Sequence, residues 1–155
     1  MLKYFIPLLL IAFIQSGDDL YDEDRIYNAI IALQAKYPQG YRWTNSDKYT
    51  WGPSVAMGLG YGGFTGGGCV AFAMIASDAA FGNIPAYEFK DKSEIRVGDI
   101  LRIDNDNHSV IVLKKNGDSQ YTIAEWNYNS SINWGRVINI DTSGFVYGYT
   151  RYKIK

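Results

Sequence analysis

Gly66-Gly67-Gly68-Cys69-Val70-Ala71-Phe72-Ala73-Met74-Ile75-Ala76-Ser77-Asp78-Ala79-Ala80-Phe81 is the stretch on which the fold turns. Three glycines give way to an alanine-rich run without a breaker until Gly82, so a buried helix is expected to open at Cys69. A cysteine in a helix's first turn meets free N–H groups and the positive end of the helix dipole, which favour thiolate over thiol. The same amides can donate to an oxyanion forming beside the sulfur. A lone cysteine is also a small buried hydrophobe in many proteins, so its meaning depends on what surrounds it.

Upstream, eight of the 16 glycines fall between Gly52 and Gly68, which predicts either a flexible loop or backbone passing close to something bulky, with no helix. Before that, Tyr41–Tyr61 reads as aromatic and irregular. Asp22 to Tyr37 reads as a helix, with Ile26, Ile30, Leu33 and Tyr37 at helical spacing, Asp22 as its cap, and Pro38 and Gly40 as its stop. The acidic run Asp18, Asp19, Asp22, Glu23 and Asp24 suits that helix's positive end better than a calcium loop. At the far N-terminus, Lys3 and the apolar run Tyr4–Ile14 are too short to span a bilayer but fit a secretory signal over residues 1–17. The remaining 18–155 would form a single domain without stable membrane insertion.

Downstream of Pro85 the pattern changes to short strands: Asp99–Ile103, Ser109–Lys114, Tyr121–Asn127, Trp134–Ile140 and Phe145–Tyr152. Asn116-Gly117, Asn133 and Ser143-Gly144 are read as their turns. Helices first and an antiparallel meander second predict an α+β domain with about five strands.

The chain has 155 residues, 47% of them apolar, enough for one packed core. Its net charge of −1 argues against nucleic acid as a partner. One cysteine and one histidine exclude a disulfide framework and multi-thiolate or multi-histidine metal sites, so no metal or other cofactor is expected. The 24 aromatic residues exceed what so small a core needs, and some are expected to line a groove. At least two of the four tryptophans should be buried, with Trp126 near the site.

His108, at the mouth of an apolar strand, is the only imidazole available to acid–base chemistry at neutral pH. A two-residue Asn116-Gly117 turn would place it opposite Glu125, and a four-residue loop, Asn116–Ser119, opposite Asn127. Glu125 and Asn127 share a strand face, so either register brings a polar acceptor beside the ring, with facing Cβ atoms about 4.5–5.5 Å apart. Cys69, His108 and Glu125 then form a thiol–imidazole–carboxylate set, with Asn127 able to orient the ring or the carboxylate.

Four segments carry a family resemblance: Gly67-Gly68-Cys69 opening a helix, Val97-Gly98-Asp99-Ile100-Leu101, Asn107-His108-Ser109-Val110-Ile111-Val112, and Ile123-Ala124-Glu125-Trp126-Asn127-Tyr128. In this order they resemble the papain-like cell-wall cysteine hydrolases, above all CHAP domains, with a weaker likeness to NlpC-type peptidases. The likeness covers about Gly66 to Ile140. It implies a papain-like fold, with Cys69, His108, Glu125 and Asn127 as the catalytic set. It also implies a secreted or wall-associated monomer that cleaves amide bonds in peptidoglycan, as amidase or endopeptidase. The polar residue that commonly precedes the CHAP cysteine is replaced by Gly68. Oxyanion stabilisation would then fall to backbone amides or to Tyr61, which lies upstream as a tyrosine does in NlpC-type enzymes. Tyr61, Gly67, Gly68 and Trp126 are the expected substrate-binding residues. Competing readings are a secreted effector or toxin that acts on a protein with the same machinery, and an inactive wall-binding module.

Overall fold

The computed structural model describes residues 19–153, without the side chains of positions 127 and 128. The expected signal segment, residues 1–17, and the side chain of Asn127 lie outside the described residues. In chain order the elements are α1 (Glu23–Ile31), β1 (Lys48–Trp51), α2 (Pro53–Ala56), β2 (Phe64–Gly67), α3 (Cys69–Phe81), β3 (Tyr87–Phe89), β4 (Ile100–Ile103), β5 (His108–Lys115), β6 (Gln120–Tyr128), β7 (Ser131–Asn139) and β8 (Tyr147–Thr150). The architecture is α+β. Six antiparallel strands run in the order β3-β8-β4-β5-β6-β7, and β1 pairs with β2 as a separate ribbon.

The helix α3 starts and stops where the sequence says it should. Asp22 caps α1 by accepting from the Arg25 N–H at 2.8 Å. That first helix is shorter than its periodicity suggested. It ends at Ile31, and a 3-10 turn over Ala32–Ala35 carries Tyr37 into the core. In the glycine-rich stretch the exclusion of any helix is corrected, and of the two alternatives for its backbone the close approach holds. Pro53 starts the short helix α2, and Phe64–Gly67 pairs with Lys48–Trp51. Asn133 is not a turn either. The turn is Asn129-Ser130, both residues left-handed at φ 54 and 57, which places Asn133 inside β7.

The six-stranded sheet buries both faces. On one, Ile111, Leu113, Ala124, Trp126 and Ile132 pack with Phe72 and Ala76 of α3 and with Ile26 and Ile30 of α1. On the other, Leu101, Ile103, Val110, Val112, Ile123 and Ile138 form a second core. The Val97-Gly98-Asp99 motif is structural. Gly98 sits at φ +89, where a Cβ would lie 2.7 Å from Ile26, and buried Asp99 accepts from the Arg96 N–H at 2.8 Å. Burial lifts the Asp99 carboxyl to about 8 against its hydrogen bonds.

Between β4 and β5, Asp104, Asn105 and Asp106 are all left-handed, at φ 53, 52 and 73. Such residues cost roughly 1–2 kcal/mol each, here offset by bonds from the Asp104 and Asn105 N–H groups to the carbonyls of Ser143 and Gly144. The turn delivers His108 at the first position of β5.

Candidate active site

Cys69 occupies the first position of α3, half-buried, beyond a glycine that nothing else could replace. Gly68 has φ 64 and ψ −128, outside the range of L side chains, and a Cβ there would lie 2.6 Å from both the Trp126 ring and Asn45 Oδ1. Its carbonyl accepts from Trp43 Nε1 at 3.2 Å. At Gly67 a Cβ would lie 2.5 Å from Lys48 Nζ. The bulk that demands these glycines is therefore the protein's own, and Gly68 is buried rather than open to a substrate.

Trp126 is likewise fully buried, so it supports the cysteine turn from beneath and cannot line a groove. Trp43 and Trp51 are buried too. Tyr61 is exposed, stacks on Phe64 at 6.3 Å and borders a cavity of about 240 Å³ with Gly58, Leu59, Tyr87, Glu88 and Tyr149. Its contacts are with that aromatic group, not with Cys69.

The structure brings Cys69, His108 and Glu125 together. Register along β5 and β6 selects the four-residue loop Asn116–Ser119 over the two-residue turn. Four residues separate the strands, a bulge falls between Val112 and Lys114, and Glu125 stands opposite Val110. His108 reaches Glu125 along the diagonal on the same sheet face, Nε2 to Oε2 at 2.8 Å. That leaves Nδ1 for the sulfur, which lies beside the ring and the Ser109 N–H, and both favour its ionised form. The imidazole is 18% exposed and the carboxylate 0%.

Two partners of Glu125 escaped the sequence reading. Arg136 grips it bidentately, Nε to Oε1 and Nη2 to Oε2, both 2.6 Å, and Asn133 Nδ2 donates to Oε1 at 3.1 Å. The register explains the geometry. Asn133 faces Glu125 directly, whereas Arg136 faces Ile123 because Gly135, at φ +95, is an extra residue between Ile123 and Ala124's partners. Without that bulge Arg136 would point to the helix side of the sheet.

These contacts set the charges. Burial would lift the Glu125 carboxyl, but bonds from His108, Arg136 and Asn133 outweigh it and hold it at about 2. Burial alone would likewise disfavour the imidazolium, yet bonds to Cys69 and Glu125 push His108 up to about 9. For Cys69 burial opposes ionisation, and the bonds from His108 and the Ser109 amide, with the positive charges of His108 and Arg102, win and lower it. Both shifts favour thiolate and imidazolium, and the pair titrates as a unit. Such a pair can attack an electrophilic carbon and hand a proton to what departs.

Among the described residues no three His, Cys, Asp or Glu side chains are grouped to hold a metal ion. Comparison of the chain with family models, curated proteins and solved structures returns no match.

Proposed function

We propose that this chain is a papain-like cysteine hydrolase of the CHAP type, cleaving an amide bond in peptidoglycan outside the cell. The observation that carries the chemistry is the His108 ring held between Glu125, at 2.8 Å, and the Cys69 sulfur at the first position of α3. The choice of peptidoglycan rests on the resemblance of the four segments around Cys69, Asp99, His108 and Glu125 to CHAP domains. Export rests on the Tyr4–Ile14 run.

The thiolate adds to the amide carbonyl carbon, and the negative charge passes to the oxygen, which backbone amides near the start of α3 stabilise. The C–N bond breaks as His108 gives its proton to the leaving amine, and a thioester to Cys69 remains. Water then attacks the thioester, His108 takes up one of its protons, and the thiolate departs to regenerate the resting pair. Glu125 stays ionised and keeps the ring aimed; Arg136 and Asn133 keep Glu125 aimed.

The test is mass analysis of muropeptides after digestion of insoluble peptidoglycan, with denatured protein as a parallel substrate. Wild type should release new amino groups from peptidoglycan, and Cys69→Ser should lose on the order of 10⁵–10⁶-fold in turnover while keeping its fold. Release from the protein substrate alone would replace this reading with a secreted effector. Turnover retained in Cys69→Ser would end the mechanism.

A further inference from the structure

Arg102 is a third charged group at the site, from a strand the catalytic set does not use. It stands opposite Ser109, the residue whose N–H lies beside the Cys69 sulfur. Two residues along the same strand pair, Ile100 faces Ile111, which packs in the α3 cluster. Alternation therefore directs Arg102 to the helix side of the sheet, where Cys69 lies.

Its guanidinium is fixed on every arm. Nη1 donates to Ser109 Oγ at 2.7 Å, Nε to Asp106 Oδ1 at 2.6 Å, and Nη2 to the Asp106 carbonyl. The left-handed run Asp104-Asn105-Asp106 is what turns both the carboxylate and the carbonyl of Asp106 toward it. The side chain is only 14% exposed, so water screens its charge less than that of a surface arginine. A guanidinium does not titrate in the working range, so its field on the sulfur is constant where that of His108 is not.

We propose that Arg102 is a positioning residue that acts as a fixed counter-ion for the Cys69 sulfur, its strength moderated by Asp106 behind it. The inference rests on Cys69 being the nucleophile. The charged groups around that sulfur are His108 from β5 and Arg102 from β4. Glu125 lies behind His108, Asp106 and Tyr147 lie beside Arg102, and Lys48 of β1 stands over Gly67. Arg102 and Asp106 have opposite charges, so removing one or the other must move the sulfur in opposite directions. A merely structural contact would not behave so, because either change breaks the same bond.

The experiment is the pH dependence of iodoacetamide alkylation of the full chain, whose single cysteine makes the signal unambiguous. Arg102→Met should raise the midpoint by about one pH unit. Asp106→Asn should lower it by a smaller amount, and Arg102→Lys, which keeps the charge, should stay near wild type. Shifts of the same sign in Arg102→Met and Asp106→Asn, or no shift in either, would overturn the proposal. If Arg102→Met fails to fold by circular dichroism, Asp106→Asn decides, and an unchanged or raised midpoint there refutes it. A wild-type midpoint equal to that of a free small thiol would instead sink the nucleophile reading, and the opposed shifts would still stand or fall on their own.

Discussion

The two ends of α3 are built from the same ingredients and finished differently. At the C-terminal end, Arg151, 1% exposed, donates to Asp78 Oδ1 at 2.6 Å, Ser77 Oγ at 3.1 Å and the carbonyls of Ile84 and Gly82. Arg25 adds a bond to the Ala80 carbonyl at 2.7 Å. Cations there match the negative end of the helix, and the carbonyls left over by the last turn are satisfied. At the N-terminal end an arginine, a carboxylate and an imidazole are also interlocked, but the sulfur they surround is half-buried and the imidazole partly open. A polar network that holds no nucleophile, such as the one around buried Arg151, stabilises a fold. The same network with one reactive atom left in reach of solvent can do chemistry.

That contrast can be broken from either end. Glu125→Gln should have the largest effect, costing about 10²–10⁴-fold in turnover. With the anion gone and Arg136 beside the ring, the His108 pKa should fall well below about 9, which NMR of the chain's only imidazole reads directly. An unchanged titration would mean that Glu125 does not hold the ring. Arg151→Met should act on stability instead, by roughly 1–3 kcal/mol because Asp78 loses its cation but keeps the Tyr49 hydroxyl, and leave the alkylation midpoint of Cys69 where it was. Chemical denaturation and iodoacetamide kinetics measure the two separately.

The pH dependence of stability sharpens the same point. His108 is raised from 6.5 to about 9, so its contribution is complete below 6.5 and fades as pH climbs through 9. Glu125 is lowered from 4.5 to about 2, so its contribution is present above 4.5 and fades as pH drops toward 2. Replacing His108 with Gln should remove the alkaline slope from a series of melting temperatures. Gly135→Ala should cost only about 1 kcal/mol in stability but more in turnover, since it strains the bulge that aims Arg136. Tyr61→Ala should be smallest, within about 0.5 kcal/mol, and should not change alkylation of Cys69.

What the sequence made legible followed from local chemistry. Cys69–Phe81 announces itself because glycines stop and start it, and the His108–Glu125 encounter was legible under either turn length because side chains two apart share a face. Less was legible where one residue alters the count. Gly135 has no signature that separates a bulge from an ordinary strand glycine, so Arg136 could not be assigned to the Glu125 face. Asn129-Ser130 did carry a signal, an asparagine opening a two-residue hairpin, and reading it would have put Asn133 in a strand. The β1–β2 ribbon was hidden because glycine is poor in strands, whereas the close approach that glycines permit was legible, Gly67 making room for Lys48 and Asn45 and Gly68 for Trp126.

The bulge at Gly135 also bears on inheritance. A lineage that lost that single codon would place Arg136 directly after Trp134 and still opposite Ile123, so the arginine would keep the carboxylate's face in an unbroken ladder. What would turn it away is a straight ladder with Gly135 kept, which moves Arg136 to the other face and leaves Cys69, His108 and Glu125 where they are.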